Sequence, residues 1–440
     1  MKIAILGGGL TGLTAAHYLS KKEHNITLFE KESVLGGLTS GFKENTWDWS
    51  LERTYHHLFI NDKDILSFAK EIGFDNFIEV SPETASLFEF LNPPSPKSPG
   101  EVNNYRTISV DTPQDFIRLP MFNLVEKIRA GIVIAGLKLS PPLSIYEKIT
   151  AKDFLIKSMG ERVWIGLWEE LFRKKFGKYA ENILASFIWA RIKKRTKKLI
   201  YIKKGFQNLI DYIEKTIIKN SVVINKNSMV LNIKKRGDKF IVGYLKDNEK
   251  QVEETLDAII STIPTPALIK TADVLFPRDY SERLKKIKYL HAVSLIVETE
   301  KPVIHKTYWL NINVKKLPFV GLIQHTNMID KKHYGGRHLL YVANYVDDDS
   351  PLLKINKEEV LNYYLSYLKI IANEELRITN FYFFKAPWSQ PVFDKNFLIN
   401  KPGFETPVKN FYIADLDMTY PYDRGTNYAV KLGKEVAKLI

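Results

Sequence analysis

Three sets of residues in this sequence have the types and spacing for chemistry. The first is Gly7-x-Gly9-x-x-Gly12, followed by an acid at Glu30. In that pattern Gly7 permits a tight turn, Gly9 lets the backbone approach a pyrophosphate, and Gly12 lets a helix pack closely on a strand. Leu10, Thr11 and Gly12 open that helix, whose unpaired N–H groups and positive dipole end suit phosphates. Glu30 is placed to accept a hydrogen bond from a ribose hydroxyl. An acid there argues against a 2′-phosphate, and so against NADP. Gly36 and Gly37, with Leu38 behind them, allow a second close backbone approach nearby. The second set is Arg53-Thr54-Tyr55-His56-His57-Leu58-Phe59. Alternate side chains of an extended segment face opposite ways, so His56 and His57 cannot both serve one site. The third set lies in apolar strands: Tyr308-Trp309-Leu310-Asn311-Ile312 and Gln324-His325-Thr326-Asn327. Unpaired polar groups are costly to bury, so their density predicts a cavity wall, with His325 and Asn327 turned to substrate or water.

Several elements must position these residues. Ile3 to Leu6 read as a buried strand, Leu13 to Leu19 carry helical spacing, and Ile26 to Phe29 make a second strand ending at Glu30. That order is a βαβ unit. Further on, Gly205-Phe206 leads a helix, and VVIN, VLNI and FIVGYL read as strands. Asp257-Ala258-Ile259-Ile260-Ser261-Thr262-Ile263-Pro264 then ends at a proline turn. Near the C-terminus a buried strand ends at Asp415, and a helix is expected from Thr426 or Asn427. Residues 113–200 look mostly helical and 286–350 β-rich. The prolines of LNPPSPKSPG and LSPPL mark turns or exposed loops.

Composition bounds the rest. A chain of 440 residues exceeds one core of ordinary size, so two domains are expected. No apolar run approaches the length of a membrane span. The opening MKIAIL is better explained by the glycines and Glu30 than by a signal peptide. With no cysteine, disulfides, thiolate metal sites, a redox dithiol and a cysteinyl cofactor link are excluded, which fits a cytoplasmic protein. The nine histidines are scattered without metal-ligand spacing. A net charge of +14 favours an anionic partner: a phosphorylated or otherwise anionic small molecule, or an acidic lipid surface. Arg191, Lys193, Lys194, Arg195, Lys197, Lys198, Lys203 and Lys204 concentrate that charge, and also read as a solvated helix face. No nucleic-acid module accompanies it, so nucleic acid is not an expected partner. Ile128 to Leu139 is apolar enough for peripheral contact with a membrane interface, and equally for a buried helix.

The glycine unit, Glu30 and the Gly36-Gly37 pair together resemble the flavin-containing amine oxidase and protoporphyrinogen oxidase superfamily. The resemblance implies FAD, with Lys31 where the superfamily often has a basic residue. Asp257 to Pro264 resembles the superfamily's returning strand, and Val230 matches the position whose backbone contacts adenine. Asp415 matches the acid that binds the ribityl or pyrophosphate part, although Ala414 stands in place of the usual glycine. Arg424, Gly425, Thr426 and Asn427 match the helix start at the flavin's pyrimidine edge. The implied fold class is α/β: a discontinuous Rossmann-like FAD domain (1–75, 203–285 and 390–440) and an α+β substrate domain with a helical subdomain (76–202 and 286–389). His57-Leu58-Phe59 resembles the His-Ile-Phe of UDP-galactopyranose mutase, which selects His57, with Arg53 and Tyr55 on its side, as the residues against the flavin. YWLN and HTN are similar to motifs of a protoporphyrinogen-oxidase-like subgroup. The implied activity is hydride transfer from an organic substrate to FAD. A nucleotide-sugar mutase using reduced flavin is the runner-up, and a flavin-binding scaffold without catalysis comes third. No second GxGxxG stands in a strand–helix context, so a built-in NAD(P)H domain is not expected.

Overall fold

A computed structural model describes residues 1–90, 104–110, 113–140, 143–247, 249–372 and 375–440. LNPPSPKSPG, and Pro141-Pro142 of LSPPL, lie outside the described residues. Five parallel strands form the sheet on which the glycine loop sits. In spatial order they are Val223–Asn225, Asn25–Phe29, Lys2–Leu6, Ala258–Ser261 and Phe411–Ile413. Ile3, Ala4, Ile5, Ile259 and Ile260 are all fully buried, because the sheet is covered on both faces, by helices on one and by a three-stranded antiparallel sheet on the other. Strands far apart in sequence therefore meet side by side, and the expected return of Asp257 to Pro264 into this sheet is what the structure has.

The helix Leu10–Ser20 follows the first strand and packs on the terminal helix, Thr426–Val436, and on Phe206–Lys219. Close approach is bought by Gly433, where an added Cβ would lie 2.4 Å from the Thr11 carbonyl oxygen. Gly12 does the same toward the strand: its Cβ would meet the Gly7 carbonyl oxygen at 2.1 Å.

Met229–Arg236, Lys239–Lys246 and Lys250–Leu256 form a separate antiparallel sheet rather than extending the parallel one. The β-rich 286–350 region is part of a seven-stranded sheet. Its order is Ile378–Pro391, Tyr289–Thr299, His338–Val346, Gly321–Gln324, Thr307–Asn313, Glu83–Glu89 and Tyr105–Ile108. Residues 83–89 and 378–391 are strands that the sequence reading did not mark. Glu170–Phe176 packs on this sheet, and Leu124–Leu139, Ala151–Met159 and Ala185–Lys194 pack on one another in the helical part of the chain. Their Trp164, Phe172, Phe176, Phe187 and Trp189 are buried core, as helical spacing of aromatics predicts. Among the described residues no helix is long and apolar enough to cross a membrane.

Candidate active site

The glycine loop makes a backbone cradle. Gly7 has φ of +104°, a conformation that side chains rarely adopt. Gly9 starts the helix with no side-chain cap, and a Cβ there would find no protein atom within 4 Å. The space over Gly9 is thus bounded by open N–H groups of Leu10, Thr11 and Gly12 at the positive end of the helix. The Gly36-Gly37 turn closes the cradle: Gly36 donates its N–H to the Gly8 carbonyl at 2.9 Å, and Gly36 bridges to Gly9. Both glycines have positive φ. Leu38 is half-buried behind them, its carbonyl accepting from the Thr54 hydroxyl.

Glu30 is buried at the end of its strand, accepting N–H bonds from Gly8 at 2.7 Å and Glu32 at 3.0 Å. Burial raises its pKa above the usual carboxylate range. Lys31 points to solvent and pairs with Glu32. The segment before Val230 runs alongside, with Ser228 N–H donating to the Glu30 carbonyl at 2.8 Å. Asp415 is buried at the end of its strand, bonded to the Thr265 hydroxyl at 2.8 Å and the Asp417 N–H at 3.1 Å. Burial, then the neighbouring Asp417 carboxylate, pushes its pKa up strongly. Gly425 starts the terminal helix without a side-chain cap, leaving the N–H groups of Thr426 and Asn427 open.

Two glycine turns, a strand-end acid and two uncapped helix starts fit a dinucleotide whose phosphates and ring need backbone donors. An FAD of the expected kind would be held by Gly7 to Gly12, Glu30 and Gly36-Gly37 at one end and by 424–427 at the other.

Beside the terminal helix lies an aromatic corner. His57 Nδ1 is 3.1 Å from the Tyr308 hydroxyl, and its ring stands edge-on to Trp309. Tyr55 meets the same Trp309 with ring centroids 4.8 Å apart, and its hydroxyl is 3.3 Å from that of Tyr345. His56 turns away, bonded to the Thr54 carbonyl and packed on Phe206. Tyr55 and His57 therefore share a wall that His56 does not. Burial, then the Arg195 and Arg191 charges, lowers the His57 pKa to about 4, so its imidazole is neutral at neutral pH.

Cations surround that corner. Arg424 donates to the Tyr345 hydroxyl at 3.0 Å and lies over its ring, while its Nη1 is buried without a partner. Lys175 is buried, pairs with Asp423 at 2.5 Å, and stands 5.2 Å from the Tyr345 ring. Arg191 reaches the same Asp423 oxygen at 3.5 Å. Burial opposes the Asp423 charge, but Lys175 and then Arg191 hold its pKa below the usual range. Lys175, Arg191 and Arg424 thus gather around one carboxylate, leaving an excess of positive charge, of which Lys175 is buried, Arg424 half-buried and Arg191 exposed.

Other expected site residues are occupied elsewhere. His325 is buried, bonded to the Tyr334 hydroxyl at 2.8 Å and packed on Tyr201, so it faces core aromatics rather than a cavity. Asn327 donates to the Ile304 and Thr307 carbonyls, both at 2.8 Å. These buried polar groups are satisfied within the protein, His325 by a tyrosine hydroxyl and Asn327 by backbone carbonyls, which is the alternative to a cavity that density alone cannot distinguish. Asn427 uses its side chain to cap the helix Lys63–Ile72, accepting from Asp64 and Ile65 N–H, so only its backbone is open to a ligand. Arg53 lies over Phe384, with Nε buried and unpartnered.

Sequence reading missed Lys175, Tyr345 and Asp423. Lys175 sits in RKKFG, where its residue type does not set it apart from the basic residues beside it, and its partner is far along the chain. The basic run is also not a purely solvated face: Lys194 pairs with the buried Asp62 at 2.6 Å and stands over Tyr428.

A family model described as flavin containing amine oxidoreductase matches residues 10–440. The chain belongs to that family, and it is an FAD-dependent oxidoreductase. Curated relatives match over unequal lengths. The 15-cis-phytoene desaturase of Synechococcus elongatus is 31% identical over 107 residues, covering 22% of each chain. The chloroplastic enzyme of Glycine max is 21% identical over 474 residues, covering 100% of this chain and 79% of that one. A crystal structure from Exiguobacterium sp. 255-15, provisionally named a protoporphyrinogen oxidase, is 16% identical with a TM-score of 0.74, covering 100% and 98% of the two chains. Reduced UDP-galactopyranose mutase is 15% identical with a TM-score of 0.72, covering 99% and 94%. At those identities the structures share the fold.

Proposed function

We propose that the protein oxidises a small organic molecule bearing an anionic group, passing hydride from one of its C–H bonds to FAD. In this reading 1–75, 203–285 and 390–440 hold the cofactor, while 76–202 and 286–389 enclose the substrate. The carrying observation is the juxtaposition of the Tyr55–His57–Trp309 wall with three cations around the single Asp423 carboxylate: Lys175, which is buried, Arg424, which is half-buried with Nη1 unpartnered, and the exposed Arg191. A carboxylate or phosphate satisfies Arg424 Nη1 and offsets the excess charge, which fixes the donor carbon beside the aromatic wall.

When bound, FAD supplies the two-electron acceptor. The chain supplies position and proton handling. In the tautomer with Nδ1–H donated to the Tyr308 oxygen, His57 Nε2 is left as an acceptor for the proton that the substrate loses with its hydride. An anion at Arg191 and Arg195 weakens the repulsion that depresses the His57 pKa, so the imidazole becomes a better acceptor once substrate is seated. Steady-state assays with an artificial electron acceptor test this reading. Carboxylated donors, porphyrinogens among them, should turn over, and their methyl esters should lose most of their kcat/KM. Equal turnover of acid and ester would remove the anion from the account.

The second reading is the nucleotide-sugar mutase, favoured by the same cations, which suit a pyrophosphate. Against it, the mutase's second histidine is replaced by Ile60, which is 44% exposed and has no proton to exchange. Isomerisation of a UDP-sugar only after dithionite reduction would establish the mutase in place of the oxidoreductase.

A further inference from the structure

The helix Leu124–Leu139 carries apolar residues on two faces, separated by Glu126, Lys127, Arg129 and Lys138, yet only one of those faces is covered. Its inner face buries Ala130 and Leu137 in the core. Its outer face exposes Leu124 (68%), Val125 (73%), Ile128 (55%), Ile132 (67%) and Leu139 (81%). Gly131, Ala135 and Gly136 are exposed between them. At 100° per residue these positions fall within an arc of about 140°, one continuous stripe. An uncovered apolar patch of this kind marks a contact surface. The helix is preformed: Asn123 and Glu126 make a reciprocal capping box at its start. Ile117 and Ile145, exposed in the flanking elements, extend the apolar surface.

The charges around the stripe say what covers it. Lys138 Nζ donates to the Arg195 carbonyl at 2.8 Å, which ties the stripe's C-terminal end to the basic run. Lys197 and Lys198 are exposed on that run, and Arg118 and Arg129 lie exposed toward the other end. The helix's own acid, Glu126, is held by the capping box and paired with Arg162 at 3.3 Å. A second copy of this chain would bring like charges face to face, in a protein whose net charge is +14. Anionic headgroups match them.

We infer that this helix lies in the interface of an anionic lipid bilayer, apolar stripe inward, with the flanking cations on the headgroups. With 16 residues it is about 24 Å long, short of the ~30 Å hydrocarbon core, so it lies in the plane rather than spanning.

Co-sedimentation of the full-length, FAD-loaded protein with phosphatidylcholine vesicles, with and without phosphatidylglycerol, tests the inference. Binding should appear with phosphatidylglycerol and weaken in high salt. The I128E/I132E double variant should bind at least about tenfold less, with its flavin spectrum and melting temperature unchanged. Three results would overturn it: wild-type protein left in the supernatant with anionic vesicles, equal binding by the variant, or a solution dimer in light scattering that the variant dissolves. None of these depends on whether the flavin reacts with an anionic donor.

Discussion

The Nδ1 atom of His57 and the hydroxyl of Tyr308 stand 3.1 Å apart, joined across residues that the chain separates by 251 positions. This contact fixes the imbalance between the two ring nitrogens, one engaged and one available. Replacing His57 by Ala should leave FAD bound while lowering kcat/KM roughly a hundredfold, a usual span for a positioned proton acceptor. Tyr308→Phe should fall between that variant and wild type. Loss of flavin from the purified His57→Ala protein would show that the histidine holds the cofactor instead.

Arg424 offers the unpaired Nη1 on which the proposed anionic substrate depends. Arg424→Ala should raise KM for an acidic donor by roughly ten- to a hundredfold, the span of about 1.5–3 kcal/mol for a charge-assisted bond. Arg424→Lys should recover part of it, since a point charge replaces a fork. An unchanged KM with reduced kcat would place Arg424 on the flavin rather than on the substrate.

Two glycines of the same loop should fail differently. Gly9→Ala projects its methyl into open space, so the apoprotein should keep its melting temperature while FAD affinity drops. Gly12→Ala drives a methyl to 2.1 Å from the Gly7 carbonyl and should destabilise the fold itself. Melting curves with and without added FAD separate the two outcomes. Equal destabilisation of both apoproteins would mean that the cradle over Gly9 is misassigned.

Much of this loop was legible because its cause is local. Turn, helix start and strand lie within one βαβ unit, and each glycine answers a backbone demand visible in the spacing. The returning strand and the Asp415 terminus were legible too, the first as an apolar run closed by Pro264 and the second as one ending in an acid. The aromatic wall was only half so. Alternation put Tyr55 and His57 on one side and His56 on the other, but nothing local announced that Lys175 is buried against Asp423. His325 and Asn327 looked like cavity residues because a sequence shows polar groups among apolar ones and hides the carbonyls and hydroxyls that satisfy them.

Glu52 was not singled out in the sequence, yet it is a fully buried carboxylate that accepts from Tyr201 and the Phe206 N–H. Burial raises its pKa from 4.5 to about 7. A folded-state pKa above the unfolded one means that the native protein holds the extra proton between those values, so stability falls as pH rises from about 4.5 through 7. The size is about 3 kcal/mol at 1.36 kcal/mol per unit. Glu52→Gln should flatten that slope in denaturant melts taken across the range. A variant that keeps the wild-type slope would assign the pH dependence to another group.

The most direct test of the oxidoreductase account is anaerobic mixing of the oxidised, FAD-loaded protein with single donors while the flavin absorbance is followed. A carboxylated donor should bleach the flavin in one turnover, with the rate lost in His57→Ala and half-saturation shifted upward in Arg424→Ala. A flavin that no donor bleaches, in a protein that interconverts UDP-sugars once dithionite has reduced it, would contradict the account.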